Sequence, residues 1–420
     1  MTIEATIAAF AAGPITLPEA ARAATERLLA DTLKVGAAGA ASDTARTIAA
    51  MAAPGPARLL GGGTAAAPDV AFANGFAIHC LEWDAVHEAA VVHALSVVTA
   101  TLLAVSDRRG GSDRAALVEA VAVGVEIAAG LGLSATGPMR FFRPATAGVI
   151  GAALAAGRLL GLKQDRFVGL LGLAFSFAGG TMQAHAEGNI ALPLQIAAAA
   201  RSAVSAVDLA AAGIAGPLAG LSGPFGYHAL IEPIDAGRWL PGLNRRWLVE
   251  EVSIKPWPCG RASHGLLTAI SEQGWTADGV DALTASVPPL VHRLVGRPPR
   301  PDMTSAYARL CGSFIGALML TDGRIDPRRF TAETFADPAL ARLASRITLS
   351  VDANSDLNAL TPQTIANGTD PITLDSIAGS PSRPLTTAQA ANRDALLAEL
   401  AGPRGDALLT DPLAFALEPA

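Results

Sequence analysis

The chain has 420 residues, 51% of them hydrophobic and only 16% charged, with a net charge of -6. Such a chain can bury a large core, and its acidic balance argues against a nucleic-acid or anionic-membrane surface. Its three cysteines, Cys80, Cys259 and Cys311, are odd in number and far apart, which argues against a disulfide framework and a Cys-x-x-Cys metal site.

The segment Met1–Ile7 lacks the basic n-region of a signal peptide, so a soluble cytoplasmic protein is expected. Residues 17–57 read as helices beginning at Pro18. Gly61, Gly62 and Gly63 followed by Thr64 read as a loop and N-cap; a phosphate cradle would need Gly-Lys-Ser/Thr there. Helical periodicity follows over 69–82, 93–107, 113–133, 145–161, 164–178 and 190–213. The most apolar stretches, near 115–135 and 147–161, are interrupted by Glu119 and Glu126 or fall short of the roughly 20 residues that span a bilayer, so they read as core helices. Gly-Pro pairs at 216–217 and 223–224 punctuate the end of this region.

The texture changes after residue 246. Residues 247–255 read as a strand, Pro256 to Gly260 as a turn and Arg261 to Gly274 as a helix. Leu283 to Val287 and Arg346 to Val351 alternate as strands do, with Ile372 to Leu374 a third, and a helix at 305–321 lies between them. The expected fold is mainly α. A large all-helical domain covers 1–246, with 386–420 packing back on it, and 247–385 forms a smaller α+β lid domain.

Three segments carry candidate chemistry. His79 to His93 holds three of the seven histidines, with Glu82, Asp84 and Glu88 among them, against apolar flanks. That setting shifts pKa values, as proton transfer requires. Lys255, Arg261 and His264 offer positive charge within ten residues, which suits a carboxylate or a developing enolate. Their plainer reading is a strand-end lysine and a helix-start arginine. Gln183 to Asn189 contains His185 and Glu187, whose plainer reading is a polar loop. His87, His93 and His185 lack metal-ligand spacing, so no metal is expected. Cys259, without a local nucleophile signature, reads as a structural thiol.

Several motifs in order resemble the MmgE/PrpD family, the relatives of 2-methylcitrate dehydratase, aconitate decarboxylase and iminodisuccinate epimerase. They are Ala73-Asn74-Gly75-Phe76-Ala77, Glu82-Trp83-Asp84, His93, and Ala147 to Ala153 followed by Arg158 to Leu162. The most specific is Lys255-Pro256-Trp257-Pro258-Cys259-Gly260-Arg261-Ala262-Ser263-His264, with Ala308-Arg309, Asp322-Gly323 and Gly379 to Leu385 behind it. The resemblance implies a helical domain and a lid with the active site between them, in a homodimer. It implies dehydration, decarboxylation or epimerisation of small polycarboxylates without metal or organic cofactor. Carried onto this chain, His93 is the base or acid and Glu82 its orienting carboxylate. Lys255, Arg261 and His264 bind the anion or enolate, and Asp84, Arg143 and His185 stand on the substrate side.

The chain also departs from that pattern. Leu192-Pro193-Leu194-Gln195 stands where the family has Lys-x-x-His. A His-Pro pair of the family falls near Phe142, Arg143 and Pro144, and Ala85 and Val86 replace an Asp-Thr. The expected activity is a hydro-lyase of the 2-methylcitrate dehydratase type, acting on a di- or tricarboxylate by alpha-proton abstraction. An epimerase and a non-catalytic carboxylate binder are the alternatives, and His185 and Glu187 are the candidates to replace the missing groups.

Overall fold

The computed structural model describes residues 2–418 and is mainly α. Its first core is built by the helices Glu19–Ala40, Ala67–His79, Ala94–Arg108, Arg114–Ser134, Arg143–Leu159 and Ala191–Ala211, which pack on one another. Small residues let these helices approach closely. A Cβ placed on Gly151 would lie 2.4 Å from the Gly124 carbonyl oxygen, so the Arg114–Ser134 and Arg143–Leu159 backbones are in contact. Arg114–Ser134 is apolar enough to cross a membrane by composition, yet 83% of its apolar window is buried in this core. Its Glu126 accepts from the Leu248 amide at 2.7 Å and the Trp239 indole at 2.8 Å. Burial pushes that carboxyl up to about 7.

A second core surrounds a four-stranded sheet ordered Ile347–Val351, Leu283–Val287, Gln363–Asn367, Asp370–Leu374. The first pair is parallel and the other two antiparallel. Leu283, Ala285 and Val287 point inward toward His264–Gln273 and Gly312–Asp322, which supply the helical layer.

The two segments with candidate chemistry are joined by a very small piece of sheet. Val86–His87 pairs antiparallel with Val252–Ser253, so the loop after Ala67–His79 lies against the approach to Lys255. The Lys255 carbonyl then accepts from the Trp83 indole at 3.1 Å and from Arg393 Nε at 2.8 Å. Arg393 stands on Thr387–Ala401, which opens with a capping box between Thr386 and Gln389 and lies against Glu19–Ala40. It forms a buried ion pair with Asp31 of that helix.

Local expectations fail where tertiary demands override pattern. Trp247, Leu248 and Val249 are all buried, which a pleated strand facing one core cannot arrange. A 3-10 turn at Leu248–Glu251 does so, and the strand shrinks to Val252–Ser253. The helix expected at 305–321 is broken between Ser305–Ala308 and Gly312–Asp322, because the Arg309 carbonyl leaves the helix to accept the Gly260 amide. Thr64 caps no helix; it lies in strand Thr64–Ala65, paired with Ala57–Arg58. The helix Ile3–Ala12 and the strand Gln363–Asn367 were not anticipated.

The Asp31–Arg393 pair gives a direct test of the tie between the last long helix and the body. Arg393→Ala leaves a carboxylate buried without its partner and is expected to cost about 3–5 kcal/mol. Thermal unfolding should show this as a lowered midpoint, with part of the loss recovered in the Asp31→Leu, Arg393→Met double variant. An unchanged midpoint in Arg393→Ala would show that the pair does not hold the helix down.

Candidate active site

Asp84 is the hub of the site. Its side chain is 0% exposed, and Oδ2 lies 2.8 Å from His79 Nδ1 and 3.1 Å from His93 Nδ1. Ser96 Oγ donates to the same oxygen. His79 is the last residue of Ala67–His79, and His93 is the N-cap of Ala94–Arg108, with Ser96 in that helix's first turn. Two helix ends therefore aim their imidazoles at one carboxylate, with the rings edge-on at 4.9 Å. Both rings are turned with Nδ1 toward the carboxylate, which leaves His93 Nε2 free and His79 Nε2 facing Glu82 at 3.6 Å.

The loop between these helices is held in an uncommon conformation. Glu82 has φ 54° and Val91 φ 52°, values that side chains rarely adopt and a β-branched residue least of all. Such residues cost on the order of 1–3 kcal/mol each and persist where the surroundings over-determine them. At Glu82 the compensation is visible. Lys255 Nζ donates to its carbonyl at 2.8 Å, lies 3.4 Å from its carboxylate and sits 3.9 Å from Asp84 Oδ1.

His79, Glu82, Glu88, His93, His185 and Arg261 border one pocket between the two cores. The other expected residues lie behind or beside it. Lys255 is fully buried behind Glu82. Arg261 gives Nε and Nη2 to Glu88 at 3.0 and 2.7 Å, Nη1 to the Ala378 carbonyl, and further contacts to Ile377 and His264. His264 stands behind Arg261, its Nδ1 facing that guanidinium and Nε2 toward the Cys259 carbonyl at 3.4 Å. Arg143 is engaged by Glu232 and the Ala90 carbonyl, its side chain turned from this pocket although Phe142 and Pro144 line it. His185 borders the pocket and contacts Arg297. Glu187 pairs with Gln183 at the surface.

Electrostatics separate the two imidazoles. Burial disfavours the charged form of His79, but Asp84 and Glu82 outweigh it and raise its pKa. Burial also opposes charge on His93; helped by Lys255 it outweighs Asp84, and the pKa falls. Burial pushes both carboxyls up, yet His79 and His93 hold Asp84 well below the usual range, while Lys255 with the histidines holds Glu82 low. Burial, then Arg261 and Lys255, keep His264 neutral; burial and Arg297 bring His185 to about 4. Burial pushes the Cys259 thiol up to about 12, so it is no nucleophile.

His79, Asp84 and His93 also place three donor atoms within 4.8 Å of one another, the spacing of a metal site. Ser96 already donates to Asp84, and the Lys255 ammonium lies 3.9 Å from it, so the carboxylate faces a resident cation and a proton donor. That surrounding suits a proton relay better than a divalent ion.

Residues 6–235 match the MmgE/PrpD N-terminal domain and residues 257–401 the MmgE/PrpD C-terminal domain. The chain belongs to the MmgE/PrpD family. The two family domains follow the two cores only in part: Thr387–Ala401 lies in the second family domain but packs against Glu19–Ala40 of the first body. Human cis-aconitate decarboxylase is 29% identical over 309 residues, covering 66% of this chain and 60% of that enzyme. The mouse enzyme of the same name is 28% identical over 305 residues, with the same coverage. A cis-aconitate decarboxylase-like protein, oryM, of Aspergillus oryzae is 25% identical over 306 residues, covering 66% of this chain and 63% of its own. The match thus spans about three-fifths of these relatives.

Within this MmgE/PrpD chain, sequence reasoning paired the carboxylates differently from the structure. Glu82 was expected to orient His93; Asp84 reaches both imidazoles, and Glu82 lies 3.6 Å from His79 Nε2 and against Lys255. His79, Ser96, Glu88 and Arg297 were not assigned roles. For Ser96 a signal existed, since a residue three after an N-cap lies over the cap; Arg297 has none.

Titration of the imidazoles by NMR tests the electrostatics. His79 should titrate above the ordinary histidine value of 6.5 and His93 below it. The signs for stability are opposite. The His79 contribution is present below its unfolded value of 6.5 and lost as pH rises through the folded one. The depressed His93 costs stability as pH falls below 6.5. Asp84→Asn should lower both values, and values that stay where they were would show that Asp84 is not the carboxylate the two rings share.

Proposed function

We propose that this chain is a cofactor-independent lyase that begins by removing a proton alpha to a carboxylate. The observation that carries the reading is the Asp84 carboxylate shared by two pocket-lining imidazoles whose pKa values are pushed apart. Neutral His93 takes the alpha proton, and the electron pair moves into the carboxylate to give an enediolate-like dianion. Protonated His79 returns a proton to the departing group, so that in a dehydration water leaves as hydroxide plus that proton. Lys255 acts through a dry wall, 3.4 Å behind Glu82, where a charge is felt more strongly than in water. The second domain serves as the lid over this pocket. Family membership and the names of the relatives support a lyase, while the bond broken belongs to the proposal.

Epimerisation is the second reading. The same two imidazoles suit it, since one can remove a proton and the other return it without a leaving group. The family resemblance also implies a homodimer. Phe177, Ile214, Leu218, Phe225 and Leu230, exposed and within one stretch of chain, are the surface we propose it covers.

Alpha-proton exchange in heavy water, followed by NMR across a set of carboxylates, detects every reaction of this kind. A dehydration adds new ultraviolet absorbance; an epimerisation exchanges deuterium without it. His93→Gln is expected to lower turnover by roughly 10²–10⁴-fold with little change in the Michaelis constant. Full turnover in that variant would move the proton chemistry elsewhere, and no exchange with any carboxylate would leave a binder. Sedimentation should show a dimer at micromolar concentration, and a charged substitution at Phe225 should weaken it.

A further inference from the structure

A polycarboxylate must meet positive charge along its whole length, and the pocket beside His93 supplies little of it. Glu82 and Glu88 stand on that wall. Arg261 stands there too, but Glu88 takes its Nε and Nη2, and the Ala378 carbonyl takes Nη1. Lys255 is wholly buried and faces Glu82 and Asp84. A second, smaller cavity adjoins this pocket, with Val91 and Met139 on the wall of both. Its remaining walls come from both bodies: Ala89 and Gly132 from the first, and Leu290 and Arg293 of the helix Pro289–Val295 from the second.

The charge on the smaller cavity is one-sided. Arg143, Arg238 and Arg293 line it, and among the described residues no carboxylate does. Arg143 is engaged within the fold, where Glu232 neutralises it and its Nη1 donates to the Ala90 carbonyl at 2.8 Å. Ala90 also packs closely on Gly132, where a Cβ would lie 2.7 Å from the same carbonyl oxygen. These contacts hold the turn at Val91, the left-handed residue that divides the two cavities. Arg238 gives Nη1 to the Ala135 carbonyl at 2.9 Å and has no ion pair among the described residues. Arg293 has neither an ion pair nor a hydrogen bond among them. Two guanidinium charges without a counter-charge thus border one concavity. They repel each other, and an anion between them relieves that repulsion. The field of Arg293 also reaches the first pocket: after burial and Arg297, it is a further cause of the lowered pKa of His185.

We propose that the smaller cavity is a distal anion subsite, in which Arg293 and Arg238 receive the far carboxylate of a polycarboxylate whose reacting carbon lies beside His93. This deepens the lyase reading and rests on it. The proton chemistry stays with His79 and His93, and the far carboxylate lies across the Val91–Met139 boundary. Both guanidinium groups are exposed, so the pairing forms at a wet rim, is modest in strength and weakens with salt. Arg238 belongs to the 3-10 turn Ala236–Arg238 of the first body and Arg293 to a helix of the second. An anion held by both therefore ties the two bodies together over the pocket.

Calorimetric titration of the intact protein with tricarballylate, a tricarboxylate, tests the subsite. Arg293→Gln is expected to weaken binding roughly threefold to tenfold, Arg238→Gln by a similar factor, and Arg293→Lys by less. Raising the ionic strength should weaken binding to the unaltered protein, and should matter less in the Arg293→Gln, Arg238→Gln double variant. Arg342→Gln removes the same charge from an exposed position on Pro338–Ala344, outside the cavity, and should leave the affinity unchanged. Equal weakening in Arg342→Gln and Arg293→Gln would overturn the proposal, since only the overall field of the protein would then act. Unchanged affinity in Arg293→Gln would overturn it as well, and so would the absence of saturable tricarballylate binding to the unaltered protein, where no variant has to fold. The heavy-water experiment keeps the two claims apart. Arg293-dependent binding without exchange on any carboxylate sinks the lyase reading and leaves an anion subsite. Exchange in Arg293→Gln with the kcat/KM of the unaltered protein sinks the subsite alone.

Discussion

A fully buried carboxylate is the constraint on which the rest of this site depends. Asp84 has no water to solvate it, so its charge is tolerable only if fixed donors and cations surround it. His79, His93, Ser96 and Lys255 do so, and they come from three different segments of the chain. Satisfying one charge therefore orients two helix ends and draws in the strand that precedes the second core. The chemistry proposed for the pair of imidazoles is a by-product of that demand: both rings turn Nδ1 inward, which leaves His79 Nε2 facing Glu82 at 3.6 Å and His93 Nε2 without an ion-pair partner among the described residues.

The anchoring of Lys255 extends the same logic into the body. Its ammonium faces Glu82 and Asp84, while its carbonyl receives the Trp83 indole and Arg393. Arg393 also lies over the Trp83 ring, at 5.3 Å from its centroid, and pairs with Asp31. The last long helix, the first long helix and the Glu82–Asp84 loop thus share one buried network. A charged network of this kind is weak evidence for stability, since apolar packing would often serve as well. Here it fixes where Lys255 sits relative to Glu82, whose left-handed backbone turns its carbonyl toward that ammonium.

Much of the architecture was legible because alanine-rich helical periodicity runs for long stretches, and the core helices from Ala67–His79 to Ala191–Ala211 lie close to where it places them. The two candidate segments were legible as well, from histidines and carboxylates among apolar neighbours. What pattern could not supply was the pairing. Glu82 and Asp84 flank Trp83 symmetrically in sequence, and only the positive φ at Glu82 sends one toward Lys255 and the other toward both histidines. The short pairing of Val86–His87 with Val252–Ser253 bridges about 165 residues and has no local signature. The His185–Arg297 contact joins a polar loop to a Gly-Arg-Pro turn, and neither carries a local signature of the other.

Glu82 adds to the separation of the two imidazoles. Both rings share Asp84 and both feel Lys255, so the hub alone would treat them nearly alike. The asymmetry comes from the second carboxylate, which lies 3.6 Å from His79 Nε2 and contributes directly to raising that histidine's pKa. His93 lacks such a partner at its outer nitrogen, so burial, Lys255 and the charge on His79 prevail and its pKa falls. In the proposed reaction a base and an acid are thereby drawn from two identical side chains, by the general route of placing like groups in unlike surroundings. Lys255 completes the arrangement by keeping Glu82 ionised in a site where burial alone would neutralise it, so that the carboxylate retains the charge on which the difference depends.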